Sequence, residues 1–293
     1  MPFTAKSAKY NACIHAVTIG TGEKAITIGG EGVMPFCTFD APIVHVPKTG
    51  IEITDLGMGA EPECVQKYYE GCMTPADMAE KAGTFEGVDF LSLRLEGGDP
   101  NGNNRSVEEL AVVVRDVADS TDLPLVVCGC GHPEKDAALL SECVKILAGK
   151  NVLFLSAREE NYQDLGEAIG IHGGQLIGAE SSVDINLAKQ LNVLLLQQGV
   201  DPDKIVMDIG SAAAGYGFEY LISALDRIRT AALAQGDTTL QMPIITPVTT
   251  EVWQIKETMA SEADMPEWGS LEERCIDMEI ETAAALHRYG DRN

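Results

Sequence analysis

Short apolar runs recur along the chain at a nearly constant interval. Seven runs long enough for a strand begin near residues 51, 88, 123, 151, 174, 205 and 242, about 32 residues apart on average. That interval fits one strand, one helix and two loops. The runs at 123–127 and 152–155 are apolar on both faces, as in strands that helices cover on both sides. The pattern therefore predicts a parallel sheet built from repeated βα units.

Helix start signals fill the gaps between these runs. Thr74 stands directly before a proline, which predicts an N-cap followed by a first helical turn. Segments 106–109 and 270–273 both read Ser-x-Glu-Glu and fit the capping box, predicting helices of about 14 and 20 residues. Asp184 can cap a helix over 185–198, whose leucines form one apolar stripe.

The N-terminal part follows a different pattern. Two β-rich runs, 14–19 and 24–29, are joined by the glycine-bearing segment 20–23, which predicts a β-hairpin. We therefore expect residues 1–50 to form a β-hairpin with its connecting loop, and residues 51–293 to form a (β/α) barrel.

Two architectures compete for the repeated units, the TIM (β/α)8-type barrel and the doubly wound open sheet. No GxGxxG turn follows an early strand, and the constant interval favours the barrel. The last predicted helix ends near Tyr289, just where an eighth strand would begin. We expect an α/β barrel with an N-terminal β-hairpin whose final strand is missing or replaced. Either seven strands close with the hairpin, or the barrel lacks its last strand.

The formal charge is −24, from 45 acidic and 21 basic residues. No lysine or arginine block is present to displace counterions from nucleic acid or to bind anionic lipid. The composition, 45% hydrophobic, is too apolar for a disordered acidic chain, and no apolar run reaches the length of a membrane span. Residues 1–6 lack the apolar core of a signal peptide. We expect a soluble cytoplasmic protein with no nucleic-acid and no membrane partner.

The eight cysteines are scattered, and Cys128 and Cys130 are their one close pair. This dispersal is typical of reduced thiols that behave as small apolar side chains. A zinc or cluster site built from them finds little support in their spacing.

Candidate chemistry is expected at the carboxyl ends of the strands, where barrel proteins place their sites. In the strand 88–96, three leucines share one face, while Arg94 and Glu96 share the other and should point toward the barrel axis. Burying these charges requires a partner, and we expect Asp208 to provide it. The arrangement is either a structural ion pair in the barrel mouth or a ligand contact.

A glycine-rich loop at 210–218 is the second candidate. Gly215 and Gly217 let the backbone approach a ligand closely, and Tyr216 could lie flat against a planar ring. The same glycines could serve loop geometry alone. The sequence has no P-loop, HExxH or GxSxG motif, and its five histidines are far apart. It suggests a ligand-binding barrel whose reactive group comes from a cofactor.

Seven stretches, in order along the chain, together resemble the small (delta) subunit of the corrinoid iron–sulfur protein of the acetyl-CoA synthase/CO dehydrogenase system. They are 29–36, 127–131 with 134–136, 184–192, 204–208, 215–220, 227–229 and 266–269. The resemblance departs at 209–214, where a turn with proline and threonine would be expected. It also departs at the absent final strand, which would end in an arginine–histidine–proline segment.

The resemblance implies a barrel subunit without catalytic residues of its own, in a heterodimer with a large corrinoid iron–sulfur subunit. The large subunit would carry the iron–sulfur cluster, with none in this chain, and cobalamin would lie between the subunits over the barrel mouth. A methyl group would pass from a methyltetrahydropterin, through a methyltransferase, to acetyl-CoA synthase in the Wood–Ljungdahl (acetyl-CoA) pathway. By this resemblance the expected corrinoid-binding residues are Asp184, Asn186, Asp208, Gly215, Tyr216 and Gly217.

Two other functions are compatible with the same residues. One is a stand-alone pterin-binding TIM-barrel methyltransferase, whose pocket would use Asp55, Arg94 and Asp208. The other is a structural scaffold within a large complex.

Overall fold

A computed structural model describes residues 6–37 and 39–290 of the chain. Two parts of the sequence-based predictions lie outside the described residues. They are residues 1–5, which belong to the signal-peptide prediction, and residues 291–293, the end of the predicted barrel. The strands are β1 Val17–Ile19, β2 Ile26–Ile28, β3 Gly50–Thr54, β4 Phe90–Arg94, β5 Leu125–Cys128, β6 Leu153–Ala157, β7 Leu176–Glu180, β8 Ile205–Asp208 and β9 Ile244–Ile245. The α-helices are α1 Glu63–Gln66, α2 Pro75–Ala82, α3 Val107–Ser120, α4 Pro133–Ile146, α5 Tyr162–His172, α6 Ile185–Gln197, α7 Phe218–Arg229, α8 Thr249–Val252, α9 Lys256–Met259 and α10 Leu271–Gly290.

The sheet confirms the predicted βα succession. Strands β3 to β9 form one seven-stranded sheet in sequence order, and every neighbouring pair is parallel. Strands β1 and β2 form a separate antiparallel pair, which confirms the hairpin. A right-handed βα succession in sequence order curls such a sheet toward a barrel. The division at residue 50 stays a prediction.

The predicted helix starts are confirmed by side-chain caps. Ser106 and Glu109 form a reciprocal capping box at the start of α3, and Thr74 forms one with Asp77 at α2. Asp184 Oδ1 accepts hydrogen bonds from the first backbone N–H groups of α6. These caps satisfy backbone donors that would otherwise stay unpaired at a helix start.

The two faces of the sheet pack against different partners. One face packs against the surrounding helices through Leu91, Leu93, Val127, Phe154, Ile177 and Met207. The other face turns inward and packs against the hairpin through Val126, Leu153, Leu155, Leu176 and Val206. The hairpin residues in this inner cluster are Val17, Ile19 and Ile26. Because Gly20 N–H donates to Asn151 O (2.8 Å), just before β6, the hairpin fills the interior at the amino ends of the strands.

The sheet stays open between its first and last strands. No strand pairs β9 with β3 within residues 6–37 and 39–290. Within these residues the hairpin pairs only with itself, so the alternative in which it closes the barrel is wrong. We call the gap between β9 and β3 the seam. A cavity of about 360 Å³ opens there, lined by both strands, by α10 and by the loop 43–49.

No helix in the described part of the chain is long and apolar enough to cross a membrane.

Candidate functional site

The carboxyl ends of β3 to β8 form a mouth lined with charged and hydroxyl side chains. Arg94 lies on the inner face of β4, as its alternation with three buried leucines predicts. Its guanidinium donates to both carboxylate oxygens of Glu52 on β3, at 3.1 and 2.8 Å. Glu96 lies 4.0 Å from the same guanidinium and accepts a hydrogen bond from Thr54 Oγ1 (3.3 Å). The paired carboxylate is therefore Glu52, and the expected pairing with Asp208 is wrong.

Asp208 ends β8 and is almost fully buried, with 5% of its surface exposed. Its Oδ1 accepts a hydrogen bond from the Gly210 N–H at 2.9 Å. Burial raises the pKa of Asp208 to about 7, and the charge of nearby Glu180 also raises it, while Arg94 and Arg158 act in the opposite sense. Both protonation states of this carboxyl are therefore populated near neutral pH.

A second ion pair joins neighbouring strand ends. Arg158, which follows β6, pairs with Glu180 at the end of β7 at 2.6 Å. The same guanidinium donates to Gly131 O in the β5–α4 loop at 3.2 Å. Planar guanidinium groups are suited to such forked contacts. The mouth thus holds two ion pairs whose charges both act on Asp208.

Two buried carboxylates hold the mouth loops in place. Asp55 accepts from Gly97 N–H and from Arg105, both at 2.8 Å, and so ties the β4–α3 loop to β3. Asp136 accepts from the backbone N–H groups of Cys130 (2.7 Å) and Gly131 (3.1 Å) and anchors the β5–α4 loop. Burial raises the pKa of both carboxyls, although these hydrogen bonds oppose the change. Each loop is fixed by a side chain from the scaffold beneath it.

The loop from β7 to α6 has a strained backbone and a buried hydroxyl without a hydrogen-bond partner among the described residues. Ser182 and Val183 have φ values of 46° and 67°, a conformation that is unusual for a β-branched residue. The Val183 N–H donates to Ile209 O (2.7 Å), which ties this loop to the loop after β8. The buried hydroxyls of Ser181 and Ser211, one in each loop, have no hydrogen-bond partner among the described residues. Strain and orphaned polar atoms of this kind are concentrated at ligand sites.

Two of the predicted corrinoid-binding residues, Asp184 and Asn186, lie at the start of α6. Asp184 and Asn186 are exposed and follow the strained loop, which the Val183–Ile209 hydrogen bond ties to the loop after Asp208. Asp184 Oδ1 caps α6 by accepting hydrogen bonds from the Asn186 and Leu187 N–H groups. Whether any of these residues contacts a corrinoid stays a prediction.

The glycine-rich loop lies against the last helices. Gly215 and Gly217 have φ values of 82° and 92°, which only glycine adopts readily. The Tyr216 hydroxyl donates a hydrogen bond to Glu257 on α9, and the side chain is 47% exposed. Ala214 N–H donates to Thr282 Oγ1 on α10 at 3.0 Å. This loop therefore connects the mouth to α9 and to α10, of which α10 borders the seam.

Sequence reasoning missed Glu52, which neutralises Arg94. The alternation argument that placed Arg94 inward would have found it, since Glu52 lies between two isoleucines in β3. No sequence pattern identifies Ser181 and Ser211 in the same way. Whether a buried hydroxyl finds a hydrogen-bond partner depends on residues from other strands, which local sequence does not specify.

The cysteines are all free thiols, and four of the eight are buried. Burial raises the pKa of the Cys128 and Cys130 thiols to about 12, so neither is a thiolate near neutral pH. Histidine, cysteine and carboxylate side chains in the described ranges form no group of three or more arranged to hold a metal ion.

A curled parallel sheet with helices on its outer face and a polar mouth at its carboxyl edge defines an α/β protein of the barrel type. The chain belongs to the CO dehydrogenase/acetyl-CoA synthase delta subunit family, whose sequence model matches residues 16–291.

The relatives agree with this assignment. The chain is 33% identical over 277 residues to the acetyl-CoA decarbonylase/synthase complex subunit delta of Archaeoglobus fulgidus, covering 92% of this chain and 60% of that protein. It is 30% identical over 290 residues to the corresponding subunit of Methanocaldococcus jannaschii, covering 96% of this chain and 70% of that protein. The chain thus spans 60–70% of the length of these two relatives. Among solved structures, it is similar to Xanthomonas albilineans dihydropteroate synthase, with a TM-score of 0.47, 12% identity, and coverage of 92% of this chain and 98% of that one.

Proposed function

We propose that this chain is the barrel subunit of a corrinoid methyl carrier and covers a cobalamin at its mouth together with a larger subunit. The observation that carries the proposal is the family match over residues 16–291. The proposed partners are a large corrinoid iron–sulfur subunit, a methyltetrahydropterin methyltransferase and acetyl-CoA synthase/CO dehydrogenase. We place the complex in the cytoplasm.

The mouth residues fit a corrinoid. Its periphery carries neutral amide side chains that both donate and accept hydrogen bonds. The buried hydroxyls of Ser181 and Ser211 need such partners, and Asp208, whose pKa burial raises to about 7, can donate a hydrogen bond when protonated and accept one when ionised. Asp184, whose N–H donates to Ser181 O (2.9 Å), and Asn186 are exposed at the start of α6. These residues would hold the amide edge of the macrocycle.

When bound, the cobalt of the corrinoid supplies the methyl-carrying chemistry. The chain's own contribution is to orient the group and to exclude water. The two ion pairs, Arg94–Glu52 and Arg158–Glu180, neutralise the mouth charges locally, so a neutral ligand can approach without an uncompensated charge beneath it. Asp55 and Asp136 keep the loops around the mouth in one conformation.

Removing the two orphaned hydroxyls tests the proposal. The chain carrying Ser181→Ala and Ser211→Ala, purified with its large subunit, should retain corrinoid about tenfold more weakly, because the ligand loses hydrogen bonds. The isolated variant should be as stable as the parent chain or slightly more stable, because buried unpaired hydroxyls are removed. Ser141→Ala, in which the lost hydroxyl bonds the Ala137 carbonyl within α4, is the matched control.

Corrinoid absorbance after gel filtration is the measurement. Unchanged retention in the double variant would remove the mouth from the corrinoid site. Micromolar binding of methyltetrahydrofolate by the isolated chain, without the large subunit, would instead favour a stand-alone pterin-dependent methyltransferase.

A further inference from the structure

We propose that the mouth binds its ligand together with one proton, and that Asp208 takes up this proton from water as the ligand covers it. The protonated carboxyl would then donate a hydrogen bond to a carbonyl oxygen of a neutral amide group on the ligand. The proposal rests on the proposed function in taking this ligand to be the corrinoid.

Asp208 lies next to a second carboxylate in the sheet. Glu180 and Asp208 are register partners in the parallel pair of β7 and β8. Leu176 and Val206, at even spacing before them in the same two strands, belong to the inner cluster. Because side chains alternate along a strand, Glu180 and Asp208 both point inward, side by side. Two like charges in such positions repel each other, so the arrangement favours one proton on the pair.

The positive charges near this pair are already bonded to other carboxylates. Arg158 lies 2.6 Å from Glu180, so its guanidinium neutralises Glu180 and leaves Asp208 without a cation. Arg94 donates two hydrogen bonds to Glu52, at 3.1 and 2.8 Å. Asp208 is therefore the member of the pair that holds the proton more readily.

Among the described residues, the other elements around Asp208 supply no further cation. Strand β5 contributes Cys128, whose thiol is neutral near neutral pH because burial raises its pKa to about 12. Strand β9 places Ile245 in register with Asp208. The one hydrogen bond donated to the Asp208 side chain within these residues comes from the Gly210 N–H at 2.9 Å. Burial first, and then the charge of Glu180, accordingly raise the pKa of Asp208 to about 7.

The loops around Asp208 leave polar groups for a ligand to complete. The buried hydroxyls of Ser181 and Ser211, in the loops after β7 and β8, have no hydrogen-bond partner among the described residues. The Ser181 N–H donates to Asp208 O at 2.9 Å, which places these two residues side by side. Ser182 and Val183 hold the first loop in a left-handed conformation. Strain and unpaired polar atoms around one buried carboxyl indicate a site that a bound ligand completes.

Covering the mouth makes the ionised form of Asp208 less favourable. The residue keeps 5% of its surface exposed in the chain alone. Neutral amide groups placed over it remove the remaining water without bringing a positive charge to that point. Ligand and proton therefore bind together, and by linkage each strengthens the binding of the other.

The sign of the pH dependence follows from this linkage. Below about pH 7 Asp208 is protonated before the ligand arrives, so the affinity is highest there. Above about pH 7 the ligand must bring a proton onto the carboxyl, so the affinity should fall about tenfold for each pH unit. The fall ends where Asp208 ionises in the bound state as well.

Carbon-13 titration of the Asp208 carboxyl tests the proposal. The labelled full chain is compared alone, with its large subunit free of corrinoid, and with the large subunit and corrinoid. The titration midpoint of Asp208 should be near pH 7 in the chain alone and about one pH unit or more higher in the corrinoid-loaded complex. Asp208→Asn identifies the resonance. Glu180→Gln, which removes the second carboxylate, should lower the midpoint in the chain alone by about one pH unit.

Calorimetry counts the proton independently. Methylcobalamin is titrated into the corrinoid-free complex at about pH 8, in two buffers that differ in ionisation enthalpy. The parent complex should take up about one proton per corrinoid. Asp208→Asn, which keeps the shape of the side chain and cannot ionise, should take up none and bind with an affinity independent of pH. Asp116→Asn, at an exposed position on α3, is the matched control and should behave like the parent chain.

An Asp208 midpoint that is the same with and without corrinoid, in a complex that retains corrinoid, would overturn the proposal and leave the proposed function standing. A midpoint raised equally by the large subunit without corrinoid would also overturn it, by assigning the proton to the contact between subunits. Failure of the complex to retain corrinoid at every pH from about 6 to about 9 would reject the proposed function itself.

Discussion

The closed side of the sheet and the seam differ in how their strands are built. Every residue of β5, β6 and β8 is buried, whereas β3 is only partly buried and both residues of β9 are half-buried. On the closed side each strand has two strand neighbours and helices over its outer face. At the seam a strand has one neighbour and a cavity. Strand position, more than strand composition, therefore decides how much each apolar side chain contributes to stability.

The largest expected effect compares one phenylalanine from each region. Phe154→Ala removes a fully buried ring from β6 and should lower the free energy of unfolding by about 3–5 kcal/mol. Phe90→Ala in β4 removes a ring that already borders the seam cavity and should cost only about 1–2 kcal/mol. Urea denaturation measures both. Equal losses would mean that the seam is packed like the closed side.

The next effect concerns the buried carboxyl of Asp208, on the closed side of the sheet. Asp208 has a pKa of about 7 in the folded chain against 3.8 ordinarily. Because the folded state keeps its proton longer, the stability from this group is complete below about pH 4. It is lost as pH rises toward 7, by an amount on the order of a few kcal/mol. Asp208→Asn should flatten the pH profile of unfolding in this interval, and an unaltered profile would contradict the burial argument.

The Glu61 pKa is expected to respond to salt more than the Asp208 pKa does. Burial is the largest cause of the raised pKa of both carboxyls, about 7 in each case. The charges of three carboxylates that line the seam region, Glu96, Glu52 and Glu279, also raise the pKa of Glu61. Screening should therefore lower the Glu61 pKa, while Asp208, enclosed on the closed side, should shift less. Carbon-13 titrations at low and high ionic strength measure both groups in one sample. A larger shift at Asp208 would reverse the comparison.

A smaller loss is expected for the ion pair beside the seam. Arg94→Met leaves Glu52 without its guanidinium and should destabilise the chain by about 2 kcal/mol. Adding Glu52→Gln should restore part of this loss, because the unpaired charge is then removed. The control is Arg115→Met, an exposed position on α3, which should change stability by less than about 0.5 kcal/mol. Additive losses for the double variant would show that the pair is not coupled.

The smallest effect concerns the helix that borders the seam. Glu279 on α10 accepts from Thr249 Oγ1 and Trp253 Nε1, both at 2.9 Å. Glu279→Ala should cost about 1 kcal/mol and shift the tryptophan fluorescence, since the indole loses its acceptor. Glu281→Ala, exposed on the same helix, serves as the control. If both variants behaved alike, these bonds would not hold α10 at the seam.

Local signals in the sequence predicted the elements well. The capping residues Ser106 and Asp184 begin helices as expected, and the alternation in β4 places Arg94 inward. These predictions succeed because each depends on residues within one turn or one strand. The partner of Arg94 and the orphaned hydroxyls of Ser181 and Ser211 depend on which strand ends meet, and no local pattern carries that information.

The sequence by itself determined the βα succession, the hairpin and the inner and outer faces of the strands, because apolar periodicity and capping act over short distances. It also carries the family membership. Only the tertiary structure decided that the hairpin fills the barrel interior instead of closing it, and that β3 and β9 face each other across a cavity. Strand pairing is a long-range choice between edges that the chain brings together only when it folds, so it leaves no mark on the local pattern of side chains.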